Sequence, residues 1–193
     1  APPPVTIAAV GPAMQRLAAE VADGVRLHPF CTRAYIEQTV LPNLQRGFSL
    51  SGRSRETFEI NGGGFLATGA SDADVDGVLY WVRYRIGFYG STPAYWPVLE
   101  AGGWGDLGPK LNAMTKQGQW DQLAAQIPDD LIHACTAVGR HDQIVAVIEQ
   151  RFGGLSDTLL ASTNYAVPAT LPPDLLQDII AIPTPFSGFT AAG

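Results

Sequence analysis

Apolar and polar positions along this chain change period in a repeating order. Val5–Val10 is an apolar, β-branched run that stops at Gly11-Pro12. Helical spacing begins at once, with Met14, Leu17, Ala18 and Val21 on one face. The pattern predicts a strand, a tight turn and a helix, with Pro12 at the first helical position, where an N–H would go unused. Gly24 closes that helix and Val25–Phe30 reads as a second strand. A helix is expected from about Thr32 to Gln45, with Thr32 as N-cap and Tyr35, Ile36, Val40 and Leu44 turned inward. Pro42 lies inside this pattern and should kink the helix or mark its last turn. After the polar loop Ser49–Arg55, residues 56–68 read as one long strand, weakened or bulged at Gly62, Gly63 and Gly64. Ser71–Asp74 then caps a helix whose inner face is Val75, Val78, Leu79, Val82 and Ile86.

From about 88 to 136 the alternation breaks, and Pro93, Pro97, Pro109 and Pro128 punctuate the segment. Short helices are predicted at 93–101, 107–116 and 119–126, with another over 129–137. Asp142–Phe152 is an amphipathic helix with Ile144, Val145, Ile148 and Phe152 inside, ended by Gly153-Gly154. Asp157–Ser162 reads as a fourth strand. A proline-rich tail carries a short helix at Pro173–Ile180, and residues 183–193 are expected to form a flexible tail. Strands alternating with helices imply an α/β domain with a parallel sheet over residues 1–182, interrupted by a helical insertion at about 88–136.

Composition narrows the partners. A formal charge of −6 and no basic stripe disfavour nucleic acid. No apolar stretch approaches the roughly 20 residues of a membrane span, and no basic, then apolar, leader opens the chain. The opening Ala1–Pro4, without Met, suggests a processed or cut polypeptide. Cys31 and Cys135 are read as two free thiols of a cytoplasmic protein. No zinc-site spacing is present, and no metal is expected.

The first strand–turn–helix also carries a resemblance. Ala8-Ala-x-Gly-Pro-x-Met-x-x-Leu-Ala-x-Glu-x-Ala-Asp-Gly24 is similar to the fifth strand–helix unit of the luciferase-like flavin and deazaflavin oxidoreductases. The likeness continues at Gly87–Tyr95, Gly103–Leu107 and Ala137–Asp142 in the family's order. It implies strands five to eight, the C-terminal half, of a TIM (β/α)8 barrel. A complete barrel takes about 250 residues. The half in which the family keeps its main catalytic and ring-binding residues is not in this sequence. Isolated, four strands leave two unpaired edges and an exposed interior. Association is therefore expected, with the N-terminal half of the barrel or with a second copy of the chain.

The free N–H groups at the start of the first helix can hold an anion. The resemblance implies that Val10, Gly11, Pro12, Ala13 and Met14 lie near the phosphate of a deazaflavin coenzyme (F420), or alternatively of flavin mononucleotide (FMN). An ordinary capped turn is the other reading of the same residues. His28 and Phe30 end the second strand, and Thr68 and Ser162 end the third and fourth, where such barrels bind small-molecule substrates. His28 can hydrogen-bond a substrate or move a proton near neutral pH, or it is satisfied by neighbouring backbone. Arg83 and Arg85 among Tyr80, Trp81, Tyr84, Phe88 and Tyr89 either stack a planar ligand or pack under the insertion. Arg140-His141 stands where relatives carry Thr-Pro, which removes the usual cap from that second turn. Two readings result: part of an oxidoreductase moving a hydride between a deazaflavin or flavin and a small organic substrate, inactive without its N-terminal half, or a non-catalytic half-barrel association module.

Overall fold

A computed structural model describes residues 3–159 and 171–189. Strand β1 (Thr6–Ala9) leads through Gly11 into α1 (Pro12–Val21), and β2 (Gly24–Leu27) follows. A helical rod comes next: α2 (Arg33–Tyr35), a π-helical turn at Ile36–Val40, and α3 (Leu41–Ser51). The Thr32 hydroxyl caps it by accepting from the Tyr35 N–H at 3.1 Å. The sequence pattern places a kink at Pro42. The chain meets that proline with a widened turn, in which the Leu41 N–H reaches back five residues to the Ile36 carbonyl. The rod then outruns its expected end and stops at left-handed Gly52.

β3 (Glu59–Gly62) and β4 (Phe65–Gly69) occupy the stretch expected to be one long strand. The difference is physical. Gly62 and Gly63 take φ of 85° and 95°, a backbone that side chains resist, and the chain changes sheets there. β1, β2 and β3 form one parallel sheet in that order, and β4 pairs in parallel with β5 (Thr136–Arg140) in another. β5 corrects the expected helix over 129–137: α7 (Asp129–Cys135) ends one residue before Thr136. A further parallel bridge joins Asn61 to Thr158, at the start of the expected fourth strand. The rest of that strand, including Ser162, lies outside the described residues.

α4 (Asp72–Gly90) opens with a reciprocal capping box between Ser71 and Asp74. The insertion comprises α5 (Trp96–Ala101), α6 (Leu107–Lys116), 3-10 turns and α7. Arg83 ties it to α4 by donating to the Ile127 carbonyl and pairing with Asp129. α8 (Ile144–Phe152) and α9 (Pro173–Ile180) cover the second sheet through Leu66, Ile148, Phe152 and Leu175. Asp157 is buried and clamps three segments, accepting from the Ile60 N–H at 2.7 Å and the Phe186 N–H at 3.2 Å while pairing with Arg55. The Ser187 N–H adds a bond to the Glu56 carbonyl at 2.8 Å.

The expected inner face of α1 holds at Ala18, which is buried, and is corrected at Met14, Leu17 and Val21, which are 42%, 40% and 60% exposed; Gln15 and Ala19 are buried instead. Small residues face inward because α3 comes very close: a Cβ on Gly47 would stand 2.4 Å from the Arg16 carbonyl oxygen. The larger apolar side chains are left outside. β1 also has β2 as its only ladder partner among the described residues. One strand–helix unit thus presents both an unpaired edge and an apolar stripe.

Candidate functional site

The Gly11 corner sits at the carboxyl end of β1. Its rigidity comes from Val10, whose carbonyl accepts from the Gln15 side-chain amide at 2.9 Å and from the Tyr35 hydroxyl at 3.1 Å. α1 and α2 thereby grip the same peptide. Gln15 Oε1 has no protein partner and is buried. At the N-cap, Gly11 offers no side-chain acceptor, so the first-turn N–H groups of Ala13 and Met14 stay uncapped. Gly11 has φ of −94°, which any residue adopts, and a Cβ built there meets nothing within 4 Å. Neither backbone strain nor packing demands glycine. The space beside it is open for a group to approach the main chain, and free donors point along the helix axis toward that end. A phosphate fits this corner on both counts.

His28 follows β2. Its Nδ1 accepts from the Phe30 N–H at 3.0 Å, so the neutral ring carries its proton on Nε2. The ring lies edge-on to Tyr89 with centroids 4.3 Å apart and is tilted on Tyr95 at 4.7 Å. Burial, followed by the positive charge of Arg85, lowers its pKa to about 4. His28 is thus a neutral hydrogen-bond donor at physiological pH and not a proton carrier there. Arg85 stacks over Trp81 and Tyr89 at 4.4 and 5.2 Å and donates to the Tyr89 hydroxyl at 2.9 Å.

Between the corner and His28 lies a hollow of about 10 Å3, which Gln15, Tyr35, His28, Phe30 and Tyr95 help to line. It has room for a water at most. Phe30 is a core side chain, 1% exposed. Thr68 sits in β4, opposite Gly139 of the second sheet, and does not join this lining. The corner residues and His28 are therefore brought to one end of the first sheet, and Thr68 is not. Burial pushes the Cys31 thiol up to about 12 and raises that of Cys135 too, which leaves both protonated and unreactive. Both cysteines are free. Among the described residues no cluster suits a metal ion, and no helix is long and apolar enough to cross a membrane.

Gln15 and Tyr35, which build the corner, are absent from the sequence-level site. Tyr35 reads there as helix core. The available signal for Gln15 was a polar residue three positions after Pro12, on the side of α1 that carries Ala18, Ala19 and Ala22.

Parallel β/α units that match the fold over about half of a longer chain define a half of a (β/α)8 barrel. The chain belongs to the luciferase-like monooxygenase family, whose model matches residues 1–158. It is 42% identical over 158 residues to an uncharacterized protein of Mycobacterium tuberculosis, covering 82% of this chain and 46% of that one. It is 27% identical over 154 residues to the 5,10-methylenetetrahydromethanopterin reductase of Archaeoglobus fulgidus, covering 76% and 44%. The structure of the coenzyme F420-dependent tetrahydromethanopterin reductase from Methanopyrus kandleri shares the fold at a TM-score of 0.65 and 21% identity, over 92% of this chain and 48% of that one. The chain spans about half the length of these relatives.

Proposed function

We propose that this chain is the cofactor-phosphate side of an oxidoreductase that moves a hydride between a deazaflavin, with FMN as the alternative, and a small organic substrate. The observation that carries the reading is the Gly11 corner, with open space at the α-carbon, uncapped Ala13 and Met14 N–H groups, and a Val10 carbonyl locked from two helices. The F420 dependence of the Methanopyrus kandleri reductase that shares the fold favours the deazaflavin. When bound, the cofactor supplies the hydride chemistry through its ring. The protein's share here is to fix the phosphate at the α1 start, which sets where the ring lies. His28 Nε2–H would orient a substrate acceptor, and Tyr89, Tyr95 and Arg85 hold the imidazole neutral and in place.

The relatives extend over a further half, and the unpaired β1 edge with the Met14, Leu17 and Val21 stripe is where strands and helices of an N-terminal half would join. Activity is assigned to that reconstituted pair. The same exposed edge favours a second reading, a half-barrel that serves only to associate, with itself or another chain. Fluorescence titration of coenzyme F420 separates the two. Saturable binding by the chain together with an N-terminal half from the mycobacterial relative supports the enzyme, and absence of binding with and without that half supports the association module.

A further inference from the structure

A second cavity, of about 340 Å3, opens away from the Gly11 corner and shares no lining residue with the hollow beside His28. Arg33, His133 and Arg151 line it with Thr136, Val138 and Val147, and no carboxylate does so among the described residues. Arg33 spans it from α2 to α8 by donating to the Gln150 carbonyl at 3.0 Å, and its own acid partner, Glu37, is solvent-exposed.

Arg151 is the unusual member. It is 8% exposed, and no acid pairs with it among the described residues. One terminal nitrogen donates to the Cys31 carbonyl at 2.8 Å and the Gly63 carbonyl at 3.4 Å. Among the described residues Nε and the other terminal nitrogen have no acceptor, and neither has the buried Thr136 hydroxyl any partner. Burial lowers the Arg151 pKa and the charge of Arg33 adds to that lowering, while the Cys135 and Cys31 sulfurs act the other way; the Phe152 ring lies 4.8 Å from the guanidinium carbon. A guanidinium shut off from water and short of acceptors is costly unless an anion is supplied. The nearby thiols cannot supply one, because burial keeps Cys31 and Cys135 protonated.

We infer that this cavity is a binding site for a phosphoryl group, held by Arg33 and His133 with the buried Arg151 charge behind them. Forked guanidinium donors match paired oxygens, and donors arriving from α2 and α7 over a positive charge on α8 suit a phosphoryl group. Because Arg151 also grips the carbonyls after β2 and β3, occupancy would stiffen the segment that leads from His28. The site stands whether or not the Gly11 corner holds a cofactor.

The test is calorimetric titration of the full chain with inorganic phosphate against chloride at equal ionic strength. A Gly11→Ala variant run in parallel reports any contribution from the α1 start. Saturable one-to-one binding is expected, weakened about tenfold or more in an Arg33→Gln/His133→Asn variant, which leaves buried Arg151 in place. Glycerol 3-phosphate run beside it separates the sources: equal affinity points to the free ion, and tenfold tighter binding points to a phosphomonoester. Heats no larger than those of chloride, affinity unchanged in the double variant, or acetate binding as tightly as phosphate would overturn the assignment.

Discussion

Two of the corners that lead from a strand into a helix, after β1 and after β5, differ in what fills them. At Gly11 the helix start is uncapped, the α-carbon faces open space, and side chains secure only the carbonyl behind it. At Gly139–Gln143 the helix start also lacks a side-chain cap, but side chains and neighbouring backbone crowd the corner in front of it. Arg140 pairs with Asp72 and Asp142, its N–H turns to the Gln143 side chain at 3.4 Å, and the His141 N–H is taken by the Gly69 carbonyl at 3.0 Å. Asp142 immediately precedes the N-cap Gln143, so its carboxylate sets negative charge beside that helix start. Helix polarity and the lack of a side-chain cap are common to both corners. What separates them is what occupies the approach: open space at Gly11, and side chains with a carboxylate at Gly139–Gln143.

The largest effect that breaks the contrast comes from outside the first corner. Gly47→Val would force α3 away from α1 at the Arg16–Ala19 contact. The expected loss is about 3 kcal/mol in chemical denaturation, with cofactor binding lost alongside. Tyr35→Phe removes one of two bonds to the Val10 carbonyl and should cost about 1 kcal/mol. Gln15 retains its own bond, so cofactor affinity should fall only a fewfold, as fluorescence titration would show.

His28 gives a smaller effect with a definite sign. Its folded pKa of about 4 lies below the ordinary 6.5, so between those values the unfolded chain takes up a proton that the folded chain refuses. Its stabilising contribution is complete above about pH 6.5 and is lost as pH falls toward about 4. Thermal melts across that window should slope less in His28→Asn than in the parent. Arg140→Gln is the smallest change. Its ion pairs are solvent-exposed, and its melting temperature should stay within a degree or so of the parent's. It should not create cofactor binding at the second corner, because Asp142 remains.

Local signals were legible in the sequence, and long-range partners were not. The Ser71–Asp74 cap, the Pro173–Ile180 helix and the Gly11-Pro12 turn each follow from a few adjacent residues. The split of β3 from β4 depends on β5, almost seventy residues later, and on glycine φ values that a strand pattern does not reveal. The face of α1 is legible only at Ala18 for a related reason. Periodicity allows Ala18 to share a face with Met14, Leu17 and Val21 or with Gln15, Ala19 and Ala22, and only the approach of Gly47 on α3 selects the small side chains. The Gln15–Val10–Tyr35 grip joins three elements in the same way, so neither side chain stood out as part of a site.

The central claim, that the Gly11 corner holds the cofactor's phosphate, is tested most directly by titrating coenzyme F420 into the reconstituted pair carrying Gly11→Ala or Gly139→Ala. A Cβ at 11 enters open space and a Cβ at 139 makes ordinary contacts from 3.5 Å, so both should melt within a degree or two of the parent. The account predicts affinity about tenfold weaker for Gly11→Ala, or about 1.4 kcal/mol, and unchanged for Gly139→Ala. Equal affinity for the two variants would contradict it.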